Sequence, residues 1–173
     1  MILGAAEPDR MLWACWAAKE TAFKIFRQSG VQTPFSPPAF EVSIDGRPRA
    51  GICPFATGVV AGRGGSVFVR IHASPEYIHC VGTDGCAGRL DAVVWGIERM
   101  EEGIDESDGA RRAAESGIAG HMRIPEDRVE IRREKIAGCL HPPRVYISGR
   151  EADASVSLSH DRPFAAYAFL PGS

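Results

Sequence analysis

The sequence predicts an α+β fold in which one long N-terminal helix packs on antiparallel sheet. Three observations carry this prediction. A run of helical periodicity extends from Asp9 to about Gln28 and is closed by Gly30. Several short segments then alternate apolar and polar residues between Gly- and Pro-rich turns, the pattern of half-buried strands. A second, Ala-rich helix is expected near 107–121. All 173 residues are expected to form a single domain, large enough to bury a core without metal or disulfide support.

The first helix takes Asp9 as its expected N-cap. Leu12, Trp13, Cys15, Trp16, Phe23 and Phe26 form a broad apolar face that is expected to be buried. Trp16, Glu20 and Lys24 are spaced i, i+4 and i+8, so an acid and a base stand one turn apart on one line. Lys19 and Glu20 are wedged between apolar residues rather than set on an all-polar face. A solvated helix ion pair satisfies this spacing. A half-buried carboxylate beside a tryptophan satisfies it too, and such groups are often functional.

Beyond the prolines of 31–38, Phe40, Val42 and Ile44 read as the buried face of a strand, with Asp45-Gly46 as its turn. A return strand is expected around 49–53. A hairpin from Gly58 to Ile71 should turn at Arg63-Gly64-Gly65; without a following helix or a P-loop lysine, these glycines read as a tight turn and not a phosphate loop. Tyr77–Val81 is a further short strand. His72, His79, Cys80 and Cys86 lack metal-ligand spacing and read as ordinary strand residues. Leu90–Met100 suits either a strand or a helix. The acids from Glu101 to Asp108 read as a solvated turn without calcium-loop order. The second helix should bury Ala110, Ala113, Ala114 and Ile118, with Gly117 and Gly120 weakening its end. Strands are expected at Val129–Ile131 and Val145–Ile147. A last hairpin should turn at His160–Pro163, before the small and aromatic strand Phe164–Leu170.

Composition narrows the function classes. A net charge of -2 points to neither a nucleic-acid nor a polybasic membrane partner. No apolar run approaches a membrane span, and the opening segment is too short and too charged for a signal peptide. Five cysteines, odd in number and without a C-x-x-C pair, predict a reduced, cytoplasmic protein.

Two motifs sharpen the expectation. Trp16-x-x-Lys19-Glu20-x-x-x-Lys24 resembles the W-x-x-K-E-x-x-x-K signature of the 4'-phosphopantetheinyl transferases. Ser157-Leu158-Ser159-His160, followed by a small-residue strand, resembles the S-[IL]-S-H element that ends the holo-acyl-carrier-protein synthase domain of that family. The order, K-E helix first and S-x-S-H hairpin last, is also similar, although recognisable sequence covers only about twenty residues.

The resemblance implies a 4'-phosphopantetheinyl transferase-like fold and transfer of the phosphopantetheine arm of coenzyme A to a serine of an apo acyl or peptidyl carrier protein. It assigns Glu20 to Mg²⁺ and to activation of the serine, and Lys24 to the bridging or α-phosphate. Lys19 would meet other phosphates, and Ser159 and His160 would hold the nucleotide end. A homo-oligomer, with a trimer favoured and sites at subunit interfaces, and a role in fatty acid or polyketide biosynthesis follow from the same resemblance.

One departure stands out. The family's G-[IN]-D strand, which supplies a metal-binding aspartate before the K-E helix, is expected to be absent, since Glu7 and Asp9 are the only upstream acids. A native N-terminal piece could be missing, another acid could have taken over the metal, or the chain could bind coenzyme A or a carrier protein without catalysis. An acyl-thioester hydrolase of hot-dog type also wraps a helix in antiparallel strands, but gives no role to Ser159-His160 beside Lys24.

Overall fold

A computed structural model describes residues 7–31, 34–45, 55–136 and 139–172. The fold is α+β, with a long N-terminal helix and antiparallel sheets. The chain packs as two compact units, Met1–Asp91 and Ala92–Ser173.

In the first unit, helix α1 (Pro8–Gln28) begins one residue before its expected cap, with Pro8 in the first turn, where its missing N–H costs nothing. Gly30, at φ 82°, closes the helix: its N–H donates to the Arg27 carbonyl at 3.2 Å, and that of Val31 to Phe26 at 2.9 Å. These two bonds form a Schellman stop, which needs a left-handed residue.

Four strands make the sheet beneath α1: β1 (Glu41–Asp45), β2 (Phe55–Gly62), β3 (Gly65–Ala73) and β4 (Ile78–Asp84), in sequential antiparallel order. The expected Asp45-Gly46 turn and 49–53 strand lie outside the described residues. Gly62 pairs with Gly65, leaving Arg63-Gly64 as a two-residue turn. A Cβ at Gly64 would run into the Phe26 ring at 2.6 Å, so close packing explains glycine there.

The buried face of α1 is the expected one only in part: Phe26 is buried and Phe23 packs against the core, as expected. Ala14, Ala18, Ala22 and Phe26 are buried, together with Phe40, Val60, Val67, Val69 and Ile71 of the sheet. Leu12, Trp13 and Trp16 are instead exposed by 49, 60 and 40%. The reason is geometric. Alanines at i, i+4 and i+8 line one helix face, and their small side chains let the backbone approach the sheet closely. Turning the tryptophans inward would force the helix away and leave the valines of β3 underpacked.

In the second unit, the undecided stretch resolves into a 3-10 turn (87–92) that crosses the unit boundary and strand β5 (Val94–Arg99). Helix α2 (Glu106–Met122) starts slightly earlier than expected because Asp105 caps it, accepting from the backbone N–H of Ser107 at 2.9 Å and Asp108 at 3.2 Å. It buries the expected Ala110, Ala113, Ala114 and Ile118. Strand β6 (Val129–Arg132) and a short ladder of β7 (Lys135–Ile136) and β8 (Cys139–Leu140) follow. Then come β9 (Arg144–Ile147), β10 (Arg150–Glu151), β11 (Ala154–Asp161) and β12 (Phe164–Pro171). Two three-stranded sheets, ordered β10-β9-β6 and β11-β12-β5, share one core with α2.

Gly117 gains a structural reason here. The Tyr167 ring lies in a slot between α2 and β5, where a Cβ at Gly117 would overlap its hydroxyl and one at Gly96 would press on the ring at 2.6 Å. Gly→Ala in a solvent-facing helix position gains about 1 kcal/mol from propensity. At Gly117 the sign should reverse: Gly117→Ala should destabilise by about 1–3 kcal/mol through overpacking, read from denaturant unfolding midpoints.

Candidate functional site

The motif residues of the first unit stand on α1. Alanines occupy the sheet-facing stripe, and along the line Trp16, Glu20, Lys24 the tryptophan is exposed while Glu20 and Lys24 are half-buried. Trp16 is steadied by an edge-on contact with Phe35 at 5.6 Å, and Phe35 continues to Phe23 at 5.1 Å and Phe40 at 6.1 Å. These rings fasten the 34–40 segment to the helix. Lys19 closes the same clasp, its Nζ donating to the Pro37 carbonyl at 2.8 Å. Its ammonium therefore has a structural bond, a use that the sequence did not suggest. On the sheet side, the Thr21 hydroxyl donates to the Cys80 carbonyl at 3.1 Å. Burial pushes the Cys80 thiol up to about 12, so it stays protonated and chemically quiet.

The second unit carries Ser159 and His160. The hairpin turn is tighter than expected: Asp161 pairs with Phe164, leaving only Arg162-Pro163, joined by a cis peptide bond, in the loop. His160 is thus a strand residue opposite Ala165, not a turn residue. Successive strand side chains point to opposite faces, so His160 shares the α2-facing side with Leu158 and buried Val156, whereas Ser159 points the other way. The hydroxyl and the imidazole do not converge on one face.

What His160 does meet is Glu106, the first residue of α2. Its Nδ1 lies 2.8 Å from Glu106 Oε2, with side chains exposed by 38 and 36%. Arg162 Nε donates to the other carboxylate oxygen, Oε1, at 2.6 Å. The acidic stretch before α2 is therefore only partly a solvated turn: Asp105 caps the helix and Glu106 bridges two bases. Neither Glu106, the partner of His160, nor Arg162, the second partner of Glu106, is legible in the sequence. The available signal was Glu106 placed next to a strong N-cap residue.

Strand β5 adds another acid that the sequence reading passed over. Glu98 pairs with Ala165, which pairs with His160 on its other side. The three lie in one row across the sheet and share a face, with the outer two roughly 10 Å apart at two strand spacings. Glu98 belongs to Gly96-Ile97-Glu98 on β5. Gly96 gives the Tyr167 ring its room.

Elsewhere, His72 and His79 face each other as register partners on β3 and β4. Burial, followed by the neighbouring charges of His72 and Lys24, lowers the His79 pKa to about 4; burial and Arg70 lower that of His72. Among the described residues, no group of three or more His, Cys, Asp or Glu is arranged to hold a metal ion by itself. No helix among them is long and apolar enough to cross a membrane.

Models of known protein families, curated proteins and solved structures were compared with this chain, and none matches. The functional reading therefore rests on the residues and their arrangement.

The histidine pair sets an acid limit. A His79 pKa depressed from 6.5 to about 4 means that the unfolded chain takes up a proton that the native fold refuses. Stability should be intact above pH 6.5 and fall as pH drops towards 4, by an amount on the order of 3 kcal/mol from His79. His72 acts in the same direction. The melting temperature of wild type should drop across this window, and that of His79→Gln should be nearly flat by comparison.

Proposed function

We propose that this chain is a 4'-phosphopantetheinyl transferase, with the fold of that family, which moves the phosphopantetheine arm of coenzyme A onto a serine of an apo acyl or peptidyl carrier protein. One observation carries the reading: both motifs fall on elements that suit their roles. The acid–base line Glu20–Lys24 stands half-buried on a long helix, and Ser-Leu-Ser-His ends on a hairpin strand.

The reaction is an attack by the serine Oγ on the phosphorus bonded to pantetheine. A new O–P bond forms, the bond to the bridging oxygen breaks, and adenosine 3',5'-bisphosphate leaves with the electron pair. Glu20 takes the serine proton, directly or through a water. Lys24, one turn on, sets its ammonium against the charge that collects on the bridging oxygen and α-phosphate. His160 holds the nucleotide end through its imidazole. Ser159, facing the other side of the sheet, contributes through its backbone. Lys19 acts by fixing the 34–40 segment against α1.

The residues fit a magnesium ion of the substrate-sharing kind. Mg²⁺ is typically held by one or two carboxylates with substrate phosphates and water, so a preformed cluster of three protein ligands is not needed. Glu20 offers hard carboxylate oxygens for such an ion. Bound there, the ion would neutralise pyrophosphate charge. The reading also carries the expectation of a homo-oligomer, a trimer favoured, in which the K-E helix of one subunit serves the hairpin of another.

Incubation of an apo acyl carrier protein with this chain, coenzyme A and Mg²⁺ should add the mass of one phosphopantetheine arm. Glu20→Gln should lower the rate by at least about 100-fold without loss of fold and should raise the Mg²⁺ requirement of the residual activity. A Glu20→Gln variant as active as wild type would remove Glu20 from the mechanism. Mixing inactive Glu20→Gln with inactive His160→Ala should restore activity where sites are shared between subunits; no recovery would limit each site to one chain. Coenzyme A binding without any mass gain would favour a non-catalytic binding role.

A further inference from the structure

We propose that Glu106 is a positioning residue for His160: it holds the imidazole by Nδ1–H and so presents Nε2 to a phosphate monoester. The identity of the ligand, the 3'-phosphate of coenzyme A, rests on the transferase reading. The orientation of the ring rests on the side chains alone.

An ionised carboxylate only accepts hydrogen bonds, so the 2.8 Å contact between His160 Nδ1 and Glu106 Oε2 makes Nδ1 the protonated nitrogen. Nε2 is then the ring atom left for a ligand. The carboxylate is itself held. Arg162 Nε occupies Oε1 at 2.6 Å, and Asp105 anchors the backbone of the same helix turn. Neither oxygen can turn away without breaking a charge-assisted bond. Its place in the first turn of α2 suits a negative charge, which the helix dipole favours there.

The chemistry follows from this geometry. On protonation, Nε2–H becomes a donor to a phosphate oxygen, and Glu106 lies behind the ring to pair with the charge. Arg162, held on the other oxygen of the same carboxylate, sets a second positive charge on the cluster. The cluster is also built from distant parts of the chain, α2 and the β11–β12 hairpin, so His160 is aimed only when both have folded. A purely structural clasp would use the same contacts but would not discriminate between ligands.

The test uses the full-length protein and needs no turnover. Long-range ¹H–¹⁵N spectra of wild type should show His160 protonated at Nδ1, with Nε2 moving when coenzyme A is added and moving much less with 3'-dephospho-coenzyme A. Glu106→Ala should abolish the Nδ1 signature and weaken coenzyme A about tenfold while leaving 3'-dephospho-coenzyme A nearly unchanged. Glu106→Gln, which keeps the side-chain length, should fall between them and guards against loss of the helix start. Because the two residues act as one unit, Glu106→Ala with His160→Ala should bind no more weakly than His160→Ala alone.

A wild-type His160 protonated at Nε2 and bare at Nδ1 would overturn the proposal. So would unchanged coenzyme A affinity in Glu106→Ala, additive losses in the double variant, or wild type that binds no coenzyme A. If these binding results hold while no carrier protein gains mass, the transferase reading fails and the positioning role stands.

Discussion

The approach of α1 to its sheet depends on three alanines. Ala14, Ala18 and Ala22 lie one turn apart and fully buried against Val67, Val69 and Ile71, with Phe26 filling the end of the stripe under the Gly62–Gly65 turn. A helix face of methyl groups brings two backbones close, and dispersion over many short contacts replaces the bulk of large side chains. Everything on the far side of α1 follows from this choice. Once the alanines face inward, Trp13 and Trp16 cannot, and Glu20 and Lys24 are carried to a half-buried position.

The second unit applies the same economy with different pieces. Ala110, Ala113 and Ala114 bring α2 down on β11, β12 and β5, while Gly96 and Gly117 leave a slot that the Tyr167 ring fills. That close docking sets the first turn of α2 beside the hairpin tip, which is why Glu106 reaches both His160 and Arg162. The polar cluster is thus a consequence of how small the residues beneath it are. Burial of Tyr167 also raises its hydroxyl pKa, with Glu98 adding to the effect, so the ring stays neutral in its slot.

Much of the fold was legible in local signals. Gly30 stops α1 because only a left-handed residue completes its closing bonds, and Asp105 starts α2 because its carboxylate caps two free N–H groups. The alternations at Phe40–Ile44, Val67–Ile71 and Val129–Ile131 each became a strand with its apolar side inward. The stretch from Leu90 to Met100 was ambiguous for a physical reason: a continuous apolar run satisfies either period, and pairing with β12 selects the strand. Of the site, Glu20, Lys24 and His160 were visible as residues, whereas the partners Glu106 and Arg162 were not.

The sequence by itself determined both helices and most of the longer strands, Leu90–Met100 apart, because periodicity, caps and turn residues act within a few positions of one another. It also displayed the two motifs that suggest phosphopantetheine transfer. Only the tertiary structure decided which face of α1 is buried, since hydrophobicity favoured the tryptophans and close packing favoured the alanines. It alone set His160 on a strand facing away from Ser159, joined it to Glu106, which Arg162 also holds, and put Glu98 in the same row. Those relations span tens of residues of chain, and no local pattern records a contact that exists only after two elements have packed.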